Sequence, residues 1–260
     1  MNAATPVEAG IASSPVEKAC RILRVMGDAR HGRLTDIATA ARLDKATALR
    51  LLETLGREGF VVRDPATKCY TLGREAFVLG LAAHARTDLR RRVRPGLLRL
   101  VASFHDTAIL SIPAGIESVC VDLQLGSFPI RANYLDVGSR RPLGVGSGSL
   151  AILAWLSDDE IAAVLPYLAD RLDRYPRFTP AFLEQQIALA RKRGYVVLLD
   201  AVVERMGGVA LPIRSADGRP IGALSIAALS ERIDDRETAL VAALRREVGL
   251  IEAGLRDGGA

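Results

Sequence analysis

Aromatic rings and thiols are scarce in this 260-residue chain. Phe, Trp and Tyr make up 5% of it, too little for a base-stacking platform or a cofactor cage built of rings. The three cysteines, Cys20, Cys69 and Cys120, are odd in number and too widely spaced for a Cys-x-x-Cys pair. That excludes a zinc ribbon and a dithiol centre and points to a reduced, cytoplasmic protein. Long hydrophobic runs are missing as well. The longest, residues 150–156, falls far short of the roughly 20 residues that a membrane helix needs, so no contact with a membrane is expected. Residues 1–14 have no basic stretch ahead of an apolar core; they are not a signal peptide and read as a disordered tail.

Catalytic signatures are equally thin. There is no Gly-x-Ser-x-Gly elbow, no His-Glu-x-x-His and no cluster of metal-ligating side chains, which removes the commonest hydrolase and zinc-peptidase readings. His105 and Asp106 are chain neighbours at a helix end, so their side chains point apart. Asp200 and Glu204, just ahead of Gly207 and Gly208, have the chemistry of acid/base groups, but a ligand or solvent contact suits them better. No catalytic residue, metal or cofactor is expected.

What the chain does contain is a strong helical pattern near its start. Leu34, Ile37, Ala38 and Ala41 repeat at the spacing of one buried helix face, and Ala48, Leu51, Leu52 and Leu55 do so again after a short corner. Asp44 is placed to cap the second helix, and Gly59 to end it. Two short β-prone runs, residues 60–63 and 69–72, flank Asp64 and Pro65, the composition of a hairpin turn. Helix, turn, helix and hairpin make a winged helix-turn-helix, with a preceding helix that Ser14, Pro15 and Glu17 would start. Arg30, His31, Gly32 and Arg33 form a basic loop into the pair. The outward face of the second helix carries Lys45, Thr47, Leu49 and Arg50, in the half that meets base edges in such readers. Arg63 and Lys68 flank the wing tip, where cations hold phosphates without reading sequence. Charge agrees with a polyanionic partner. Residues 1–87 hold 13 Lys and Arg against 9 Asp and Glu, a net +4, whereas residues 88–260 hold 22 against 21, a net +1.

The remainder reads as an α+β domain. Residues 73–86 form a linker helix with a small-residue stripe, Ala76, Leu79, Gly80 and Ala83, open to packing on its own domain or on a second copy. Residues 88–105 read as a helix interrupted near Pro95, carrying the basic run Arg90, Arg91, Arg92 and Arg94. Strands are expected at 108–112, 118–123, 129–134, 209–214 and 221–227, and helices at 147–156, 158–168, 179–193 and 234–255. They make one antiparallel sheet with helices on a face. Between Gly138 and Ser149 a glycine-rich loop runs into a helix N-terminus, where free backbone N–H groups suit an anion.

These residues together resemble the IclR, or isocitrate lyase regulator, family of bacterial transcription factors. The likeness rests on residues 43–52, 55–61 and 70–73 in the reader, and on 138–154, 208–213 and 222–226 beyond it. It implies a winged helix-turn-helix over residues 15–73, a linker and dimerisation helix over 74–87 and a GAF-like effector domain over 88–260. It also implies a homodimer or a dimer of dimers on double-stranded operator DNA, controlled by a small organic-acid or aromatic effector. The expected effector contacts are Gly146, Ser147, Gly148 and Ser149, with Asp200, Val209 and Ser225 as further walls. Departures from the family pattern are Ala46 and Leu49 in the recognition helix, Gly144 and Gly146 in the effector loop, and Gly208 where a cysteine is common. Two other readings stay open at this point: a small-molecule enzyme with an accessory helix-turn-helix, which turnover would reveal, and a protein-interaction module, which would lack salt-dependent DNA affinity.

Overall fold

Ser14 and Glu17 cap each other, with 2.6 Å from Ser14 N to Glu17 Oε2 and 3.2 Å from Glu17 N to Ser14 Oγ. They start α1 (Pro15–Met26). The computed structural model describes residues 14–27, 32–86, 89–131 and 135–257. The expected tail, and Arg30 and His31 of the basic loop, lie outside them. By contact density the chain falls into two units, residues 1–87 and 88–260.

In the first unit, α2 (Leu34–Ala40) and α3 (Lys45–Arg57) meet at a corner where Arg42 takes a left-handed φ of 54°. Asp44 caps α3, its carboxylate accepting the Thr47 N–H at 2.8 Å. That hydrogen bond lowers the Asp44 pKa below the usual aspartate value. The apolar positions of α1, α2 and α3 close on one another: Ile22, Met26, Ile37, Ala41 and Leu52 form a core completed by Val61 and Tyr70 of the wing. The wing is an antiparallel pair, β1 (Val61–Arg63) and β2 (Tyr70–Leu72), with Val61 opposite Leu72. After it comes α4 (Arg74–Arg86).

The second unit is a six-stranded antiparallel sheet in the order β5-β4-β3-β8-β7-β6. Its strands are β3 (Thr107–Ala114), β4 (Glu117–Gln124), β5 (Arg140–Pro142), β6 (Val196–Leu199), β7 (Met206–Arg214) and β8 (Pro220–Leu229). Helices cover both faces, not one as expected. On one side α5 (Leu89–Phe104) and α10 (Glu237–Asp257) bury Leu97, Leu100, Leu240 and Leu244 against Leu110, Val209, Leu224 and Ile226. On the other, α6 (Ser147–Ala154), α7 (Asp158–Leu172) and α8 (Pro180–Arg193) pack Leu150, Leu153, Leu168 and Leu183 with Val196, Ala210 and Ala223. Both layers are supplied by the same strands, because successive side chains point to opposite faces.

Other expectations also need correction. Pro95 does not interrupt α5, and it lies on the exposed side of that helix, where its ring meets no core side chain. The described part of residues 129–134 is not a strand: the Gly126 N–H bonds Thr107 Oγ1, the Phe128 N–H bonds the His105 carbonyl, and Pro129 has no N–H to give. Strands β5 and β6 were not foreseen; both are short edge strands. The last helix starts at Glu237, not Asp234, and a short unforeseen helix, α9 (Ser230–Asp234), precedes it with Asp235 and Arg236 between. That break delivers Arg232 and Arg236 to the buried Asp106, at 3.1 and 2.6 Å.

Candidate functional site

Two places in the chain have the makings of a binding site, one in each unit. The first is the face of α3 turned away from its own core. Ala48 and Leu52 are buried, whereas Lys45, Ala46, Arg50, Glu53 and Arg57 are exposed and Thr47 and Leu49 half-buried. Lys45 and Thr47 occupy the first turn, where Asp44 fixes the backbone. Arg50 lies one turn on, its Nη2 donating to Thr47 Oγ1 at 3.4 Å. Lys45, Thr47, Leu49 and Arg50 thus share the N-terminal half of one helix. Sequence reading passed over Glu53 and Arg57, which continue the exposed stripe at the same i, i+3, i+7 spacing as Arg50. Arg57 is steadied by Thr54, 3.2 Å from Nη2 to Oγ1.

The wing places Arg63 and Lys68 on either side of a tight turn. Asp64 builds that turn, its Oδ1 accepting the Ala66 and Thr67 N–H groups at 2.7 and 2.9 Å. Those bonds, the Thr67 one first, keep its carboxyl below the usual range. Lys68 takes a left-handed φ of 59°. The Arg63 guanidinium sits 5.5 Å from the Tyr70 ring centroid, which orients it by cation–π attraction. Both cations are exposed.

The second place is a cavity of about 50 Å³ between the sheet and the N-terminus of α6. Strand alternation builds its floor. Ala108 and Leu110 face the α5/α10 layer, so Ile109 and Ser111 face the cavity; on β8, Leu224 and Ile226 turn away while Ser225 and Ala227 turn in. Ser118 and Cys120 of β4 extend the floor. Ser111, Ser118 and Ser225 are all more than nine-tenths buried, so this is a hydroxyl-rich hollow inside an apolar layer.

Gly146 is the N-cap of α6, with a φ of 93° and no side-chain cap. The N–H groups of Ser147, Gly148 and Ser149 therefore have no partner within the helix. The helix comes close to the sheet because of two glycines. A Cβ on Gly148 would lie 3.2 Å from Ser225 Oγ and 3.3 Å from Ser111 Oγ, and one on Gly208 would lie 2.5 Å from Ser147 Oγ. Arg141 stands at the same rim, its Nη1 3.1 Å from where a Gly146 Cβ would be. Aligned N–H groups and a guanidinium make an anion-binding arrangement. Cys120 contributes as a neutral thiol: burial, then the charges of Asp122 and Asp136, push it up to about 12.

Of the effector residues read from the sequence, Gly146, Ser147, Gly148, Ser149 and Ser225 line this cavity. Ser149 is structural there, its hydroxyl accepting from Gly144 N and donating to the Pro142 carbonyl, both at 3.1 Å. Asp200 and Val209 are not in the wall. Val209 belongs to the opposite core, because it is the strand neighbour of the inward-facing Gly208. Asp200 takes a left-handed φ of 55° and accepts the Ser230 hydroxyl at 2.8 Å; its neighbours Ala201 and Val202 reach the cavity instead. Glu204 is exposed. Sequence reading missed Arg141, Ser111, Ser118, Cys120, Leu135 and Met206, all of which line the cavity. The signal available for three of them was hydroxyl or thiol at alternate strand positions.

His105 and Asp106 do not form a pair: His105 Nδ1 is 2.9 Å from Ser127 Oγ, and Asp106 is held by two arginines. Among the described residues no group of His, Cys, Asp and Glu could hold a metal ion, and no helix is long and apolar enough to cross a membrane.

Comparison with known proteins gives two family matches. Residues 15–65 match the model of the IclR helix-turn-helix domain, and residues 81–251 that of the bacterial transcriptional regulator IclR C-terminal domain. The HTH-type transcriptional regulator XynR of Escherichia coli K12 is 29% identical over 242 residues, covering 90% of this chain and 94% of that protein. The transcriptional repressor IclR of the same strain is 28% identical over 232 residues, covering 86% and 84%. Among solved structures, an IclR homologue from Microbacterium hydrocarbonoxydans, complexed with 4-hydroxybenzoate, superposes with a TM-score of 0.74 at 24% identity, covering 94% of this chain and all of that one.

Proposed function

Because this chain belongs to the IclR family of bacterial transcriptional regulators, we propose that it acts in the cytoplasm as a ligand-controlled reader of operator DNA. Lys45, Thr47, Leu49 and Arg50 enter the major groove, while Arg63 and Lys68 grip phosphates beside it. The observation that carries this is the exposed half of α3, set by the Asp44 cap and presenting Arg50 against Thr47. An arginine so placed suits guanine O6 and N7, and Leu49 suits a thymine methyl.

The second unit takes a small organic acid. Its carboxylate meets the first-turn N–H groups of α6 and the Arg141 guanidinium, and an oxygen elsewhere on the ligand meets Ser111, Ser118 or Ser225. Size favours this over the aromatic class: about 50 Å³ holds roughly three to five waters, whereas a cavity that takes benzene measures about 150 Å³. A ring like that of the 4-hydroxybenzoate bound by the Microbacterium homologue is larger than this cavity. Regulators among the relatives, together with the absence of any acid/base pair in this cavity, favour a sensor over an enzyme.

The test is fluorescence anisotropy on DNA from upstream of the protein's own gene and on random DNA, at two salt concentrations. Arg50→Ala is expected to cost about 1–3 kcal/mol on the specific site and little on random DNA, and Lys68→Ala to weaken both and lower the salt slope by roughly one. Equal losses on both DNAs for Arg50→Ala would remove it from base readout.

A further inference from the structure

The cavity at the N-terminus of α6 has a counterpart near the helix's other end. A cleft of about 330 Å³ opens there, lined by Pro113 at the end of β3, Gly115 of the β3–β4 turn, Leu143, Ile152 and Leu156, Ala163 and Val164 of α7, and Pro220. Ile152 and Leu143 form a fully buried floor, and Val164 and Leu156 are half-buried walls. The charged groups on its lining are Glu160 and Arg219, which pair with each other at the rim. Their situations differ. Glu160 Oε2 also accepts the Ser157 N–H at 3.1 Å and the Ser157 hydroxyl at 3.2 Å as part of the α7 capping box. Glu160 therefore keeps its partners if Arg219 leaves. Arg219 belongs to the hairpin turn between β7 and β8, and its side chain is 64% exposed.

We propose that this cleft is a second ligand site, for an amphipathic monocarboxylate of about ten non-hydrogen atoms. The apolar body lies over Leu143, Ile152, Leu156, Val164 and Pro220, and the carboxylate takes Arg219 from Glu160. The volume sits at the lower end of the range for small-molecule sites, and a few polar groups on an apolar lining is their usual composition. An anion is favoured over a cation because the carboxylate at the rim is also anchored by Ser157, whereas the largely exposed guanidinium is held there by its pairing with Glu160. The site is also connected to the first cavity. Gly148, whose missing side chain leaves the room beside the Ser111 and Ser225 hydroxyls, and Ile152, which floors the cleft, are four residues apart and therefore on one face of α6. A ligand that displaces the helix at one end acts on the other.

Octanoate is the probe, since it is too large for the first cavity. Isothermal titration calorimetry on the full chain is expected to give saturable binding, weakened at least tenfold in Ala163→Trp, which fills the cleft from an exposed helix position, and in Arg219→Gln. Octanol and octylamine are expected to bind at least tenfold more weakly than octanoate. Because both substituted positions are exposed, circular dichroism and the thermal midpoint should match wild type, and a loss of binding then reports the site. No saturable octanoate binding, binding unchanged in Ala163→Trp, or tighter binding of the amine would each overturn the proposal.

Discussion

Glu247 is a carboxylate placed where only its partners make it tolerable. Its side chain is fully buried between α5 and α10, with Arg99 bonding both oxygens at 2.6 to 3.2 Å and Arg246 at 3.2 Å. Gly96 makes the room, since a Cβ there would stand 3.2 Å from Glu247 Oε2. Burial pushes the carboxyl upward, but the Arg99 and Arg246 hydrogen bonds and charges outweigh it and leave the group below the ordinary glutamate value. A carboxyl depressed in the folded state adds stability above its unfolded pKa, about 4.3, and loses it as pH falls through the folded value. Glu247→Gln keeps the shape and removes the charge. It is expected to cost about 1–3 kcal/mol at pH 7, a difference that shrinks as pH drops below about 4. Calorimetric melting of the two proteins at pH 7 and pH 3.5 checks this; an equal gap at both would assign the effect to packing.

Among the elements, α4 is the one whose apolar side chains lack cover: Phe77, Val78, Leu79 and Leu81 are 65, 46, 56 and 53% exposed. Four such residues on one helix are the kind of apolar surface that marks association, and we propose a second copy as its partner, as a two-fold operator would require. Phe77→Glu with Leu81→Glu is expected to lower the mass measured by light scattering toward that of the monomer and to weaken operator binding while leaving the fold signal intact. An unchanged mass would move the interface elsewhere. The elements themselves were legible in the sequence to different degrees, and the reason is local. Asp44 and Ser14 announce α3 and α1 because a cap is a contact within one turn. The short edge strands β5 and β6 carry too few residues for a period to show, and they exist through pairing with β4 and β7. The glycine loop was readable as a candidate anion site, but Arg141, Ser111 and Ser118 reach it only through the register of the sheet. Val209 was placed on the wrong side for the same reason: one residue along a strand exchanges the two faces.

At the scale of the molecule the question is how a ligand bound in the second unit, as proposed above, would change what the first unit does on DNA. Thermodynamics fixes part of the answer without any path between them. If a bound acid alters operator affinity by some factor, operator must alter the affinity for the acid by the same factor, and regulatory couplings of about 1–3 kcal/mol correspond to about 5- to 150-fold. The acid is expected to bind at Gly148, where a larger side chain meets Ser111 and Ser225 at about 3.3 Å or less. Titrating glyoxylate, lactate and malonate into the protein, alone and on operator, should therefore find one acid whose dissociation constant shifts on DNA by the factor by which it shifts operator binding. Gly148→Val should abolish that acid's binding and, with it, its effect on DNA, while the ligand-free operator affinity stays as in wild type. Retained acid binding in Gly148→Val would place the sensor outside the α6 cavity. An acid that binds there with no reciprocal shift would make the cavity a passive site, since a ligand with equal affinity for both states of the protein moves neither.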